Sequence, residues 1–356
     1  MSSPGWLPEY SEGALRSALR VADAGLAARP IELTGTNDLT RPKWASGSAV
    51  IDGRFLAKFA FSEPTAVRVW HEARVLELLG DRAEFDVPEL VAACPDPAFL
   101  VTRLLTAGVP LSYELVSESI PARVDEIGAE LARFLASLHR PDILALARER
   151  LDRPLRTPEP GLQASTDELR ARLTPLIEPG QRELLHRLCD SVDEQLANPG
   201  EPVFLHGDFH GHNQLWDRRT LRLLLVADFE TSGAAEAEYD IRAIPALGPG
   251  VDLLTATVDH YALCSGRQLS LERIMAWHVP TTLGDALWRT EAGLPLLLAR
   301  PGGGTPANYV EEFGGTLRAA PDRTLSPSPG GLRGSPQTPR AAGSPPRASC
   351  FTNRHA

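Results

Sequence analysis

The chain has 356 residues, 43% hydrophobic and 23% charged, with a formal net charge of −10. That length suits two lobes, and the balance is that of an ordinary globular protein. The acidic sign argues against nucleic acid as a partner, and no apolar run reaches the ~18 residues of a membrane span.

Taken in chain order, residues 8–28 predict an amphipathic helix, with Leu15, Leu19, Val21 and Leu26 among polar neighbours and Pro30 ending it. Ile31-Glu32-Leu33 leads into a turn-rich stretch, Thr34-Gly35-Thr36-Asn37-Asp38. Residues 46–51 and 54–61 predict a hairpin about Asp52-Gly53, a favoured two-residue turn. Residues 65–79 predict a helix, and 90–94 and 98–105 predict strands separated by Pro95-Asp96-Pro97. From about 110 the pattern turns helical. Residues 127–139 are strongly periodic, 166–197 suggest a helical pair broken at Pro179-Gly180, and 251–266 and 270–299 are again helical. The run Leu221–Ala227, broken only by Arg222, predicts a buried strand that delivers Asp228 at its exit. In 321–356, 16 of 36 residues are Pro, Gly or Ser, a composition that predicts disorder. We therefore divide the chain into 1–105, 106–320 and a tail at 321–356, and the first 320 residues carry a net charge of −14. The N-terminus MSSPGWLPEYSEG shows no secretory signal. Cys94, Cys189, Cys264 and Cys350 have neither metal nor disulfide spacing. Both features suit a cytoplasmic protein with reduced thiols.

The chemistry concentrates in His206-Gly207-Asp208-Phe209-His210-Gly211-His212-Asn213, followed by Asp228-Phe229-Glu230. An Asp, an Asn five residues on and an Asp after an apolar strand form the minimum kit for phosphoryl transfer from Mg-ATP. Asp208 can accept a hydroxyl proton, and Asn213 and Asp228 offer the hard oxygens that Mg²⁺ requires. His206, His210 and His212 lack a nearby fourth ligand, which argues against zinc. Lysine usage sharpens the reading. Of 36 basic residues only Lys43 and Lys58 are lysines, so Lys58 invites a specific reason that a guanidinium fork would not serve.

The H-G-D segment, the Asn five residues after its Asp, and the D-F pair resemble those of the aminoglycoside phosphotransferase family, protein-kinase-like small-molecule kinases. Protein kinases carry H-R-D and D-F-G instead, so Gly207 and Glu230 favour the small-molecule branch. The resemblance implies an α+β, two-lobed protein-kinase-like fold with a strand-rich N-lobe and a mostly helical C-lobe. It implies that Lys58, fourteen residues before Glu72, pairs with it to hold the ATP phosphates. It places the adenine at the lobe junction, against main-chain groups of Arg103, Leu104 and Leu105. Two stretches compete for the phosphate loop, Thr34-Gly35-Thr36-Asn37 and Ser46-Gly47-Ser48; neither reads G-x-G-x-x-G, and we take the first. Asp240 stands where the family has a later Asp, but the G-D-P that should precede it is absent, and we read Asp240 as structural.

The expected activity is transfer of the γ-phosphate to a hydroxyl of a small molecule, with ATP and Mg²⁺ as cofactors. The acceptor site should lie among the C-lobe helices, in about 160–200 and 250–310. Glu236, Glu238, Asp252 and Asp259 could favour a cationic acceptor, such as an antibiotic, aminosugar or amino alcohol, or could equally be a solvated face. The rival readings are a protein kinase and a nucleotide-binding pseudokinase without turnover.

Overall fold

The computed structural model describes residues 4–37, 39–80, 85–111, 123–152, 155–158, 163–246 and 250–293. The described residues form one compact unit, and the tail at 321–356 lies outside them. The unit is a two-lobed kinase-like fold, with an antiparallel sheet in the first lobe and mostly helix in the second.

The first helical stretch is two elements rather than one, α1 (Glu12–Ala22) and α2 (Ala24–Ala27). Asp23 is extended between them, and its carboxylate accepts from the N–H groups of Gly25 and Leu26. A short side chain that captures backbone donors starts a new helix more readily than it continues an old one. Strand β1 (Ile31–Thr36) runs through most of the expected turn. It pairs with β2 (Ser46–Ile51), which pairs with β3 (Phe55–Ala60) as expected. Asp52 and Gly53 both have positive φ, 56° and 63°, as a tight hairpin turn requires. Helix α3 (Glu63–Gly80) is followed by β4 (Leu90–Pro95) and β5 (Ala98–Arg103). The five strands form one sheet in the order β1-β2-β3-β5-β4.

The alternation along β3 sorts the two faces of this sheet. Phe55, Ala57 and Phe59 join Leu15, Leu19, Phe99 and Val101 in a core under α1. Ala60, on the other face, packs with Ala66, Val69 and Ala73 of α3. Lys58 lies on the same face as Ala60, so the period of two aims it towards α3.

The helical lobe begins after β6 (Val109–Pro110) with α4 (Val124–Leu138) and α5 (Pro141–Arg150). After β7 (Leu155–Arg156) come α6 (Thr166–Leu173) and α7 (Pro179–Leu196). Pro179 opens α7 rather than breaking a pair. It sits in the first turn, where a missing N–H costs nothing, and the break falls earlier, at Thr174–Glu178. Three strands carry the central segment: β8 (Pro202–Leu205), β9 (Gln214–Trp216) and β10 (Leu223–Val226). β10 starts two residues later than its apolar run and is only partly buried. Leu221 has φ 54° in a turn whose N–H groups answer Asp217 and Arg222. Then follow β11 (Gly233–Glu236), α8 (Glu238–Ile241), α9 (Val251–Ser265) and α10 (Leu271–Ala292). The part of the last predicted helix beyond Gly293 lies outside the described residues.

α4 and α9 approach closely at Gly128, where an added Cβ would stand 2.7 Å from Ala256 Cβ. Glu236 is buried at the end of β11, accepting from Gly200 N–H at 2.7 Å and from the side chains of Arg273 and Trp277. It therefore pins β11 to α10. Glu236→Ala leaves the Gly200 and Trp277 N–H donors without their acceptor and takes from Arg273 its carboxylate partner, and should destabilise the fold by about 3 kcal/mol. A urea titration checks this.

Candidate active site

Three segments far apart in sequence meet at Lys58. Its ammonium donates to Glu72 at 2.9 Å and to Asp228 at 2.6 Å, and lies 2.7 Å from Glu230. Burial pulls the Lys58 ammonium down, but the charges of Asp228, Glu230 and Glu72 override it and hold it well above its ordinary value. Burial pushes the Glu72 carboxyl up, while Lys58 opposes the rise. The expected Lys58–Glu72 pair thus forms. What the sequence reading missed is Glu230, which also lies 3.5 Å from the buried Arg68 of α3. Arg68 is one helical turn before Glu72, a signal visible in the sequence but indistinguishable there from a surface charge.

Helix α3 is fastened to the Asp228 segment at three levels. Phe229 N–H donates to Glu72 at 3.2 Å, and Arg68 faces Glu230. His71 Nε2 meets the Ser232 carbonyl at 2.8 Å. Burial lowers His71 to about 4, so its ring is neutral and its Nε2–H donates to that carbonyl. Asp228 itself has left-handed backbone, φ 68° and ψ 60°. From there the chain passes through only Phe229–Ser232 before entering β11.

The catalytic-type loop is held from below by one carboxylate. Asp240, fully buried, accepts from His206 N–H and Gly207 N–H, each at 2.8 Å. His139 Nε2 lies 3.1 Å from the same carboxylate, and His139 Nδ1 lies 3.0 Å from the Tyr261 hydroxyl. Gly207 has φ 87°, and a Cβ there would meet the Thr231 carbonyl at 2.2 Å, so only glycine fits. His206 is buried, and burial lowers its pKa. Its Nδ1 accepts from Asp208 N–H, so Nε2 carries the proton and donates to the Ala227 carbonyl at 2.9 Å. Ala227 N–H donates back to the Asn213 carbonyl at 2.8 Å. Ala227, the residue before Asp228, is thereby tied to both His206 and Asn213.

Asp208 stands partly exposed above the loop. Asn213 Nδ2 donates to its carbonyl at 2.9 Å and lies 3.3 Å from its Oδ2, which turns the amide oxygen of Asn213 away from Asp208. His210 Nε2 is 3.3 Å from Asp208 Oδ2, and Arg242 is 3.9 Å from Oδ1. Burial raises the Asp208 carboxyl, but the His210 hydrogen bond and the charges of His210, Arg242 and His206 outweigh it and lower it to about 2. His210 and Arg242 are further neighbours that the sequence reading did not assign. Arg242 also donates to the carbonyls of Gly207 and Tyr239 and stacks 3.7 Å over the Tyr239 ring.

A cavity of about 420 Å³ opens beside Lys58. Its walls include Thr34–Asn37, Ser46–Ser48, Leu56, Leu100, Thr102 and Asp228. Both stretches that competed for the phosphate loop therefore face it together, as partners across β1 and β2. Arg103 and Leu105 stand outside these walls. Arg103 N–H donates to Glu89, Leu104 N–H donates to Arg54, and the Arg103 guanidinium pairs with Glu89 at 2.6 Å. Leu56, Leu100 and Thr102 contribute side chains to the cavity wall. Hard oxygens from Asn213 and Asp228 suit a magnesium ion. The trio Glu72, Asp228 and Glu230 also clusters within 4.8 Å, but Lys58 already sits among those three carboxylates.

A strand-rich lobe carrying a Lys–Glu pair, over a helical lobe carrying an Asp–Asn loop and a second Asp, defines a kinase-like phosphotransferase. The model of the phosphotransferase enzyme family (APH) matches residues 42–260, and the chain belongs to that family. Among solved structures, the GDP complex of aminoglycoside 2'-phosphotransferase-IIIa aligns with a TM-score of 0.58 at 15% identity, covering 82% of this chain and 92% of that one. Macrolide 2'-phosphotransferase type I aligns at 0.51 and 21% identity, covering 82% and 94%. The macrolide 2'-phosphotransferase MphH of Brachybacterium faecium aligns at 0.52 and 18%, covering 87% and 99%. These likenesses show the fold. A curated relative, the probable acyl-CoA dehydrogenase IBR3 of Arabidopsis thaliana, is 25% identical over 189 residues. The match takes in 50% of this chain and only 22% of that relative. No helix among the described residues is long and apolar enough to cross a membrane.

Proposed function

We propose that this phosphotransferase moves the γ-phosphate of ATP to a hydroxyl of a small molecule. The observation that carries the reading is the meeting of Lys58 with Glu72 and Asp228, residues 14 and 170 positions away, at the wall of the cavity. Lys58 holds the phosphates and Glu72 orients Lys58. Asp208 accepts a hydrogen bond from the acceptor hydroxyl and takes its proton as the new P–O bond forms and the bond to the leaving ADP breaks. Asn213 and Asp228 are the residues that would hold magnesium, which supplies charge neutralisation at the phosphates. His210 and Arg242 keep Asp208 ionised and fix its orientation.

Two of the four acidic residues considered for a cationic acceptor are engaged elsewhere. Glu236 is committed to Arg273 and Trp277, and Glu238 accepts from Ser270 N–H. Asp252 and Asp259 are exposed on α9. His210 and Arg242 lie 3.3 and 3.9 Å from the Asp208 carboxylate, so neutral hydroxylated acceptors belong in a screen beside cationic ones.

Two rivals are weaker. A protein kinase uses a long activation segment, whereas four residues separate Asp228 from β11. A pseudokinase loses a catalytic group, whereas Lys58, Glu72, Asp208, Asn213 and Asp228 are all present. The test is consumption of ATP and GTP against a panel of aminosugars, amino alcohols, macrolides and neutral hydroxylated metabolites. Phosphorylation of one acceptor is the expected result, and binding of nucleotide without turnover on any acceptor favours the pseudokinase. Asp228→Ala should abolish magnesium-dependent ATP binding, and unchanged Mg-ATP affinity by calorimetry would move the metal site elsewhere.

A further inference from the structure

Tyr10 precedes the matched family region, yet it reaches the strands that face the cavity. Residues before it cross one end of the sheet, bonded to the ends of β3, β4 and β5. Gly5 N–H donates to Pro95, Ala98 N–H to Gly5, and Leu7 N–H to Ala60. This places the Tyr10 ring edge-on to Phe61, at 5.7 Å and 85°. The ring lies under Gly47, where a Cβ would stand 2.9 Å from Tyr10 Cε2. Its hydroxyl then accepts from Gly35 N–H at 3.0 Å and donates to the Ser48 carbonyl at 2.6 Å.

Gly35 and Ser48 are register partners across β1 and β2, and the register shifts by a bulge between Leu33 and Gly35. A bulge leaves ladder groups unpaired and lets the local twist vary. One phenol oxygen answers a donor on one strand and an acceptor on the other, so it fixes their separation. Thr34–Asn37 and Ser46–Ser48, the residues around them, line the cavity together with Lys58. Gly47 lets the ring in, and Gly35, with φ 143°, leaves its backbone without a Cβ.

We propose that Tyr10 is a positioning residue for the nucleotide phosphates, acting through the main chain of β1 and β2. This rests on the nucleotide reading above. The phenol holds backbone N–H groups of this stretch where a triphosphate meets them, and it touches no nucleotide itself. Tyr10→Phe removes both hydrogen bonds and keeps the ring packed on Phe61 and Gly47.

The experiment measures Mg-ATP and adenosine affinity by calorimetry, and the urea midpoint, for the full chain and Tyr10→Phe. Mg-ATP binding should weaken about tenfold, as expected for losing about one net hydrogen bond of loop order. Adenosine affinity and the urea midpoint should stay nearly constant, and exchange of the Gly35 amide should quicken. Equal weakening of adenosine and ATP, or a collapsed urea midpoint, would show a merely structural role and overturn the proposal. Wild type that binds Mg-ATP with a variant that binds it equally well overturns the Tyr10 role alone. Wild type that binds no nucleotide overturns the nucleotide reading, and this role with it.

Discussion

Asp208→Ala is expected to lower transfer by roughly 10³-fold while Mg-ATP still binds, as loss of a positioned base does. The variant deletes the only carboxylate that the loop His206–Asn213 carries. It leaves the loop's supports intact, because Asp240 grips the N–H groups of His206 and Gly207 rather than the Asp208 side chain. His210 loses its partner at 3.3 Å but keeps the contact of its Nδ1 with His212 N–H. The fold should therefore survive, and a thermal melt within a few degrees of wild type is part of the expectation. Turnover within threefold of wild type would remove Asp208 from the mechanism.

Lys58→Arg should cut turnover by about 100-fold with the fold intact, since a misplacement on the order of 1 Å suffices for that. The Lys58 ammonium fits among three carboxylates at 2.6–2.9 Å. A planar fork cannot meet Glu72, Asp228 and Glu230 from one point, and it is longer and wider than the stem it replaces. Lys43→Arg is the matched control. What Lys43 gives the structure at Arg68 is its backbone carbonyl, which the swap preserves. Equal, small losses at both positions would refute the role given to Lys58.

The legible part of this site was the part written in local order. Asp208, Asn213 and Asp228 lie within 21 consecutive residues, and Lys58 stands out in a chain that otherwise writes cations as arginine. The hairpin at Asp52-Gly53 and the strongly periodic α4 were legible for the same reason. What escaped depends on pairing across the fold. His71 and Ser232 are 161 positions apart, and neither is unusual by itself. Tyr10 looked like part of a helix because a bulge in a distant strand pair leaves no mark on an amphipathic pattern. Asp23 hid a helix break that only its carboxylate geometry reveals. Glu236 read as either a solvated charge or a lure for a cation, and is neither of the exposed groups those readings need, because Arg273 and Trp277 close on it. The adenine contacts expected of Arg103, Leu104 and Leu105 are main-chain ones, which no side-chain pattern marks in a sequence; Arg103 and Leu104 already give their N–H groups to Glu89 and Arg54.

The three fasteners between α3 and the segment 229–232 bear on how the enzyme answers a rise in substrate. A kinase that must swing its corresponding helix inward holds much of its population in a dormant basin and wakes with a lag. Here Phe229 N–H on Glu72, His71 on Ser232 and Arg68 beside Glu230 hold the helix inward through protein contacts alone. Progress curves should thus be linear from the first seconds after mixing. A lag that shortens with nucleotide preincubation would show that these contacts form only after binding.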